Sequence, residues 1–364
     1  MSERLSIETQ TLHAELMERL SVRDAQRTIA DLEGTFTTKI ISGGEYIYFL
    51  HYDAGGGRRN ISLGRKSPGL DELVERYKEG RKEEILDPFG IRELCAQLKA
   101  GRAAVADTGT ARVIRELAEG GVFHVGGVLV GTQAFTCIGN LLGVVWDATT
   151  LKTRDVDIAI ERNVNIAVPN ITSDIPKTLE SMKMGFFPIP RLNHKEPSTS
   201  FSIRKNPLRV DLITPKKTKS DGPVFIKRLN AAAQPLKFLD YLIEDPIRGA
   251  VLNGDATIVL VPQPIRYALH KLIVSQERDV TAGAKRQKDL WQAFQLLEFF
   301  VAEHPRDIEP SWNALVSRGP GWKEKAEAGL ASMQRHFGAI DFTGHGIRKF
   351  GGHKFGGHHT EYQQ

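Results

Sequence analysis

The sequence predicts an α/β chain of the α+β kind, a mixed sheet flanked by helices, and three stretches predict it. Residues 125–130 are an apolar run that meets Gly131 and continues as a helix-compatible segment through Leu142. Residues 154–160 alternate valine and isoleucine with polar residues, and residues 208–213 are a second apolar strand pattern broken by one acid. Period-two alternation belongs to strands, and the segments between these runs carry helical spacing.

A strand sends successive side chains to opposite faces, so Asp155 and Asp157 share one face of residues 154–160 while Val156, Ile158 and Ile160 share the other. Carboxylates at i and i+2 stand roughly 6.5–7 Å apart at the backbone. Both can lean toward a pair of divalent ions about 3.5–4 Å from each other. Asp211, opposite in parity to Val210 and Leu212, is the third acid. A carboxylate buried in a strand without a partner costs several kcal/mol, so a metal or a cation is its expected neighbour. Acid pairs on strands commonly face solvent, and the glycine turn and Asp211 are what weigh against that here. Glycine at 131 lets backbone amides approach a phosphate, Thr132 adds a hydroxyl, and the following helix offers its positive N-terminal end. The nearby Gly126, Gly127, Gly139 and Gly143 leave close packing as the other use of this glycine-rich region.

Together the three pieces resemble the nucleotidyltransferase superfamily typified by DNA polymerase beta. Leu129-Val-Gly-Thr-Gln-Ala-Phe135 is similar to its strand, glycine turn and helix, Thr153-Arg-Asp-Val-Asp-Ile158 to its paired acids, and Asp211 to its third acid. The chain departs from the pattern in having Thr132 where glycine or serine is usual, and a longer insertion between turn and acids. The resemblance implies a nucleotidyltransferase core in which Asp155, Asp157 and Asp211 are both catalytic residues and metal ligands. It also implies two magnesium ions, with manganese as an alternative, and an NTP such as ATP on Gly131 and Thr132.

The remaining elements are justified in order. The chain has 364 residues, beyond the size at which a single core stops growing, so several domains are expected. Residues 5–30 place Leu12, Leu16, Leu20 and Ile29 at near-helical spacing. Residues 35–41, 45–52 and 58–63 read as strands, separated by the turn compositions Ser42-Gly-Gly44 and Asp53-Ala-Gly-Gly-Gly57, with helices over about 69–100. Tyr46, Tyr48 and Tyr52 share one face of that sheet near Arg58, Arg59, Arg65 and Lys66. Either this face grips nucleic acid by stacking and phosphate contacts, or it packs on the following helix. Residues 101–120 read as a helix entering the first core strand, and 174–182 as a short helix begun by an acid and a proline. Residues 186–190 and 199–204 are strands, and Lys205-Asn-Pro207 is the turn that carries Asp211 to the other acids. Lys216, Lys217 and Lys219 follow that strand, as a screen for phosphates or as a solvated turn.

A strand at 257–261 ends at Pro262 and Pro264, and helices follow from 265, from 285 to 300 and across 310–340. The order of a helix with Lys271, then Arg278, a short break and Lys288-Asp289 resembles the C-terminal helices of a bacterial branch that includes the abortive-infection toxin nucleotidyltransferases. That resemblance makes Lys271, Arg278 and Lys288 nucleotide-binding candidates, with Asp289 beside them. Read without it, lysines and arginines on helices mostly form solvated faces. The tail repeats Lys-Phe-Gly-Gly-His and has no core to bury.

The expected organisation is a helix, three-stranded sheet and helices over 1–104, a catalytic core over 105–260, a helical domain over 261–340 and a Gly/His-rich tail over 341–364. Two cysteines, Cys95 and Cys137, lie in apolar patterns and read as buried thiols in a reducing compartment. No apolar run reaches membrane-spanning length and residues 1–5 lack a signal peptide's apolar core, so the expected location is the cytoplasm without a membrane partner. The net charge of +5 favours an anionic partner, and RNA, especially a tRNA 3′ end, is the expected acceptor. The competing reading is a non-catalytic nucleic-acid-binding protein with a relic core, which three intact acids oppose. Nothing in one chain supports an antitoxin partner.

Overall fold

The computed structural model describes residues 3–29, 34–52, 58–78, 88–146, 153–162 and 173–342. The expected turn at 53–57, Lys152 and the repeats of the tail from Lys349 lie outside these residues. The chain falls into two compact units, one through Gln263 and one beginning at Pro264.

The first unit opens with β1 (Glu3–Arg4) and the long helix α1 (Ile7–Ile29). Three antiparallel strands follow, β2 (Gly34–Ile41), β3 (Gly44–Tyr52) and β4 (Arg58–Arg65), and then α2 (Pro68–Lys78) and α3 (Pro88–Ala100). Ile47 and Phe49 of β3 and Ile61 and Leu63 of β4 bury against Val22 and Ala25 of α1 and Leu70 and Leu73 of α2. The helices therefore cover the face opposite Tyr46 and Tyr48. The pairing of β3 with β4 slips between Ile47 and Tyr48, so that Tyr48 faces Ser62 while Ile47 faces Gly64 and Tyr46 faces Arg65. Such a bulge leaves one residue out of the ladder. Here it is Leu63, whose carbonyl accepts from Arg248 Nη1 at 2.9 Å.

Helix α4 (Thr108–Glu119) starts later than the sequence predicts, because Asp107 caps it by accepting from the Thr110 amide at 3.1 Å. Thr110, Val113, Ile114 and Leu117 form its buried stripe. The core then runs through β5 (Gly127–Val130), α5 (Gly131–Leu142), β6 (Val144–Val145), β7 (Asp155–Ile160) and α6 (Ile175–Ser181). Asp174 caps α6 through the Lys177 amide at 2.9 Å, with proline in the first turn, as its sequence implies. Strands β8 (Phe186–Pro188), β9 (Ser200–Ile203), β10 (Asn206–Pro215), β11 (Val224–Ile226) and β12 (Ala231–Leu236) complete the central sheet.

That sheet is mixed, in the order β11-β12-β10-β7-β5, with β9 also on β10 and β8 on β9. β7 runs parallel to β10 and antiparallel to β5. A short helix α7 (Leu239–Leu242) precedes the hairpin β13 (Ile247–Leu252) and β14 (Ala256–Val261), which closes the unit. The core strands are buried on both faces away from their acids; Val156, Ile158, Ala159 and Ile160 are 0–1% exposed. Cys95 and Cys137 are free and buried, and burial pushes their thiols up to about 11 and about 12.

The second unit is helical: α8 (Pro264–Glu277), α9 (Gly283–Glu303), α10 (Ile308–Val316) and α11 (Pro320–Phe337). Its packing is close enough that a Cβ on Gly329 of α11 would lie 2.2 Å from the Leu272 carbonyl oxygen. Among the described residues, no helix is long and apolar enough to cross a membrane.

Candidate active site

Three neighbouring strands converge on one row. β5 ends with Val130 opposite Asp157, and Asp157 stands beside Asp211 in the parallel pairing of β7 with β10. One row away Asp155 stands beside Arg209. Side chains of laterally paired residues leave the same face of a sheet, so all three acids and Arg209 are on one side. On the acid face exposure rises along β7 toward its start: Ala159 is buried, Asp157 half-buried and Asp155 exposed.

The turn out of β5 is held open for this row. Gly131 has φ +65, a left-handed conformation that glycine adopts freely. A Cβ built on it would lie 2.2 Å from Asp157 Oδ2, so any other residue would push the carboxylate out of place. Thr132 is buried in the first turn of α5, where its carbonyl accepts from Thr136 Oγ1 at 3.1 Å. Gln133 Nε2 donates to the Thr153 carbonyl at 3.4 Å and ties α5 to the entry of β7. Thr153 Oγ1 in turn accepts from the Asp155 amide at 3.2 Å and donates to Asp155 Oδ2 at 3.3 Å, which fixes the rotamer of that exposed acid.

Two residues that sequence reasoning does not single out complete the row. Arg209 Nε donates to Asp211 Oδ1 at 2.8 Å, Ser200 Oγ donates to the same oxygen, and Arg209 Nη2 reaches Ser200 Oγ at 3.0 Å. Arg209 was visible as a residue of the right parity two before Asp211. Ser200 was not, because its place depends on the antiparallel pairing of β9 that sets it opposite Asp211. The donors fit a hard divalent cation in kind, carboxylate oxygens from adjacent strands on one face. Among the described residues, no three His, Cys, Asp or Glu side chains are gathered as a metal cluster. At this site Asp211 is turned onto Arg209 and Ser200, and Asp155 onto Thr153.

The lysine loop is mostly engaged elsewhere: Lys216 pairs with Asp221, and Lys217 Nζ lies 2.9 Å from Glu161 Oε1. The candidates of the helical unit also find partners within it. Lys271 Nζ lies 2.5 Å from Asp289 Oδ1, and Arg278 Nε lies 3.0 Å from Asp289 Oδ2. Asp289 is buried and Lys271 nearly so, whereas Arg278 keeps about a third of its side chain exposed. Burial pushes the Lys271 amine down, but Asp289 and Tyr267 outweigh it and hold the amine above the ordinary lysine value. Burial likewise raises the Asp289 carboxyl, and the two cations bring it below the ordinary range. In this structure Lys271 and Arg278, the expected nucleotide contacts, form an ion triad closed on Asp289. Lys288, half-buried, precedes the acid.

Residues 108–317, more than half of the chain, match the model of a nucleotidyltransferase family. The chain belongs to this nucleotidyltransferase family. The matched span of this nucleotidyltransferase begins at α4, includes β5, β7 and β10 with the whole acid row, and ends after α10. The sheet of β2, β3 and β4 precedes it. No curated protein matches the chain. Among solved structures, an antigenic nucleotidyltransferase-like protein from Paracoccidioides brasiliensis is similar at 14% identity, covering 62% of this chain and 95% of that one with a TM-score of 0.33.

Proposed function

We propose that this nucleotidyltransferase moves a nucleoside monophosphate from an NTP, ATP foremost, to a hydroxyl of RNA, in a reaction that depends on divalent metal. The observation that carries the reading is the row of Val130, Asp157 and Asp211 across β5, β7 and β10, with Gly131 leaving β5 against Asp157. The acceptor oxygen attacks the α-phosphorus, the bond to the β-phosphate bridging oxygen breaks, pyrophosphate leaves and the hydroxyl proton is lost to solvent.

Asp155 and Asp157 would hold two ions, and Asp211 would join one of them on leaving Arg209. Bound there, magnesium or manganese would lower the pKa of the attacking hydroxyl and neutralise the leaving pyrophosphate. Gly131 keeps the space against Asp157 clear, and the first amides of α5 favour phosphate oxygens. Arg209, released from Asp211, is a cation in the same row for the triphosphate.

The test is incubation with each labelled NTP, magnesium and total RNA. Label that becomes acid-insoluble and RNase-sensitive is expected, and protease-sensitive label or none would refute the RNA assignment. Asp155→Asn and Asp157→Asn should abolish pyrophosphate release with melting temperature unchanged or raised. Normal release by either variant would sink the metal reading.

A further inference from the structure

The face of the N-terminal sheet turned away from its helices combines aromatic rings with cations in ordered rows. Lys39 stands opposite Tyr46 and Thr37 opposite Tyr48 on the β2 side, with Arg65 opposite Tyr46 and Ser62 opposite Tyr48 on the β4 side. The next row holds Thr35, Leu50 and Asn60. Lys39, Arg65, Ser62 and Asn60 are exposed, while Tyr46 and Tyr48 are half-exposed, with Lys39 Nζ 4.6 Å from the Tyr48 ring centre. By register, no Asp or Glu of β2, β3 or β4 falls on this face among the described side chains. Glu45, at the far end of β3, has the opposite parity and pairs with Lys66 at 3.1 Å.

The bulge is what assembles it. If β4 kept the register of Ile61 and Ser62 through the same residues, Arg65 would fall opposite Glu45, with the parity of Ile61 and Phe49. With Leu63 as the extra residue, and with Gly64 at φ +131, Arg65 lands beside Tyr46. The shift keeps Leu63 in the core and puts a cation on the face that carries the rings.

We propose that this face is a docking surface for a single-stranded stretch of RNA. Tyr46 and Tyr48, two residues apart on β3, would each stack a base, and stacking is indifferent to sequence because every base has a π face. Lys39 and Arg65 flank the rings where phosphates pass. The hydroxyls of Thr35, Thr37 and Ser62 and the amide of Asn60 offer partners to the ribose 2′-hydroxyl, which deoxyribose lacks. A duplex keeps its bases stacked inside and presents no ring to the tyrosines. The inference goes beyond the transfer reaction and does not need it to be correct.

Fluorescence anisotropy of the full chain with a labelled 12-nucleotide unstructured RNA tests the surface. Tyr46→Ala and Tyr48→Ala should each weaken binding about 10-fold or more, while Tyr46→Phe and Tyr48→Phe, which keep the ring, should bind within about 2-fold of the parent. Lys39→Glu and Arg65→Glu should weaken binding and lower the salt slope by about 0.7 for each phosphate no longer neutralised. Thermal melting of each variant separates lost binding from lost folding. Binding is measured without NTP or divalent metal, so failure of the catalytic reading leaves this result readable. Unchanged binding in both alanine variants overturns the proposal, as does equal or tighter binding of a duplex or of the same sequence in DNA. Absence of oligonucleotide binding, as expected of a protein-docking face, overturns it too.

Discussion

Gly131→Ala separates two costs that a glycine substitution usually mixes. The backbone at 131 has φ +65, and placing an L residue there costs about 1–2 kcal/mol. Against a stability of about 5–15 kcal/mol the protein should remain folded, with a melting temperature lower by a few degrees. The second cost is geometric. The new Cβ would be 2.2 Å from Asp157 Oδ2. The carboxylate must therefore move by close to 1 Å, and displacement of a reacting group on that scale costs about 100-fold in rate. Gly254→Ala is the control. It has φ +64 and nothing within 4 Å of its added Cβ, so it carries the same backbone strain and disturbs no acid. Pyrophosphate release with NTP and RNA, measured beside thermal melting, should show equal loss of stability in the two variants and the activity loss in Gly131→Ala alone. Equal activity in both would mean that the turn has no bearing on the acid row.

Three further outcomes follow from particular ion pairs and one buried imidazole. Arg209→Gln frees Asp211 from a half-exposed cation, so it should change stability by less than about 1 kcal/mol; half-maximal activity should come at a lower magnesium concentration, and an unchanged requirement in a metal titration would remove Asp211 from the ion site. Asp289→Ala leaves the buried Lys271 charge without its carboxylate and should destabilise the helical unit by about 3–5 kcal/mol in denaturant melts, whereas Lys271→Met with Asp289→Leu should cost much less. His13, buried in α1, has its pKa lowered to about 4 by burial. The unfolded chain takes up that proton near pH 6.5 and the folded chain does not, so stability is unaffected above 6.5 and falls as pH drops from there to about 4, by roughly 3 kcal/mol in all. His13→Leu should flatten that limb in chemical denaturation at stepped pH.

The acid strands, the glycine turn and the N-terminal three-stranded sheet were legible because each carries its own period or its own turn chemistry. What escaped depends on partners distant in sequence. Ala231-Ala-Ala-Gln-Pro-Leu236 has the composition of a helix with a break, yet it forms β12 because its place in the sheet, between β10 and β11, outweighs a weak propensity. The run Ile247-Arg-Gly-Ala-Val-Leu252 carries no strand signal of its own, and its pairing with β14 makes it β13. Lys271 and Arg278 are on the expected helical segments, but helical spacing says nothing about what a cation will meet, and Asp289 is 18 and 11 positions further on. The start of α4 at Thr108, several residues later than periodicity implied, was set by the Asp107 cap. Ser200 became part of the acid row only through the pairing of β9.

The bulge at Leu63 also sets a rule of parity for the whole hairpin. Loss of Leu63 would close the bulge into a regular ladder with Arg65 still opposite Tyr46, and would deprive Arg248 of the carbonyl it holds. Loss of both Leu63 and Gly64 would set Arg65 opposite Ile47 and turn its guanidinium toward the packed face. A one-residue deletion at this point should therefore be tolerated better than a two-residue deletion, as thermal melting of the two variants would show.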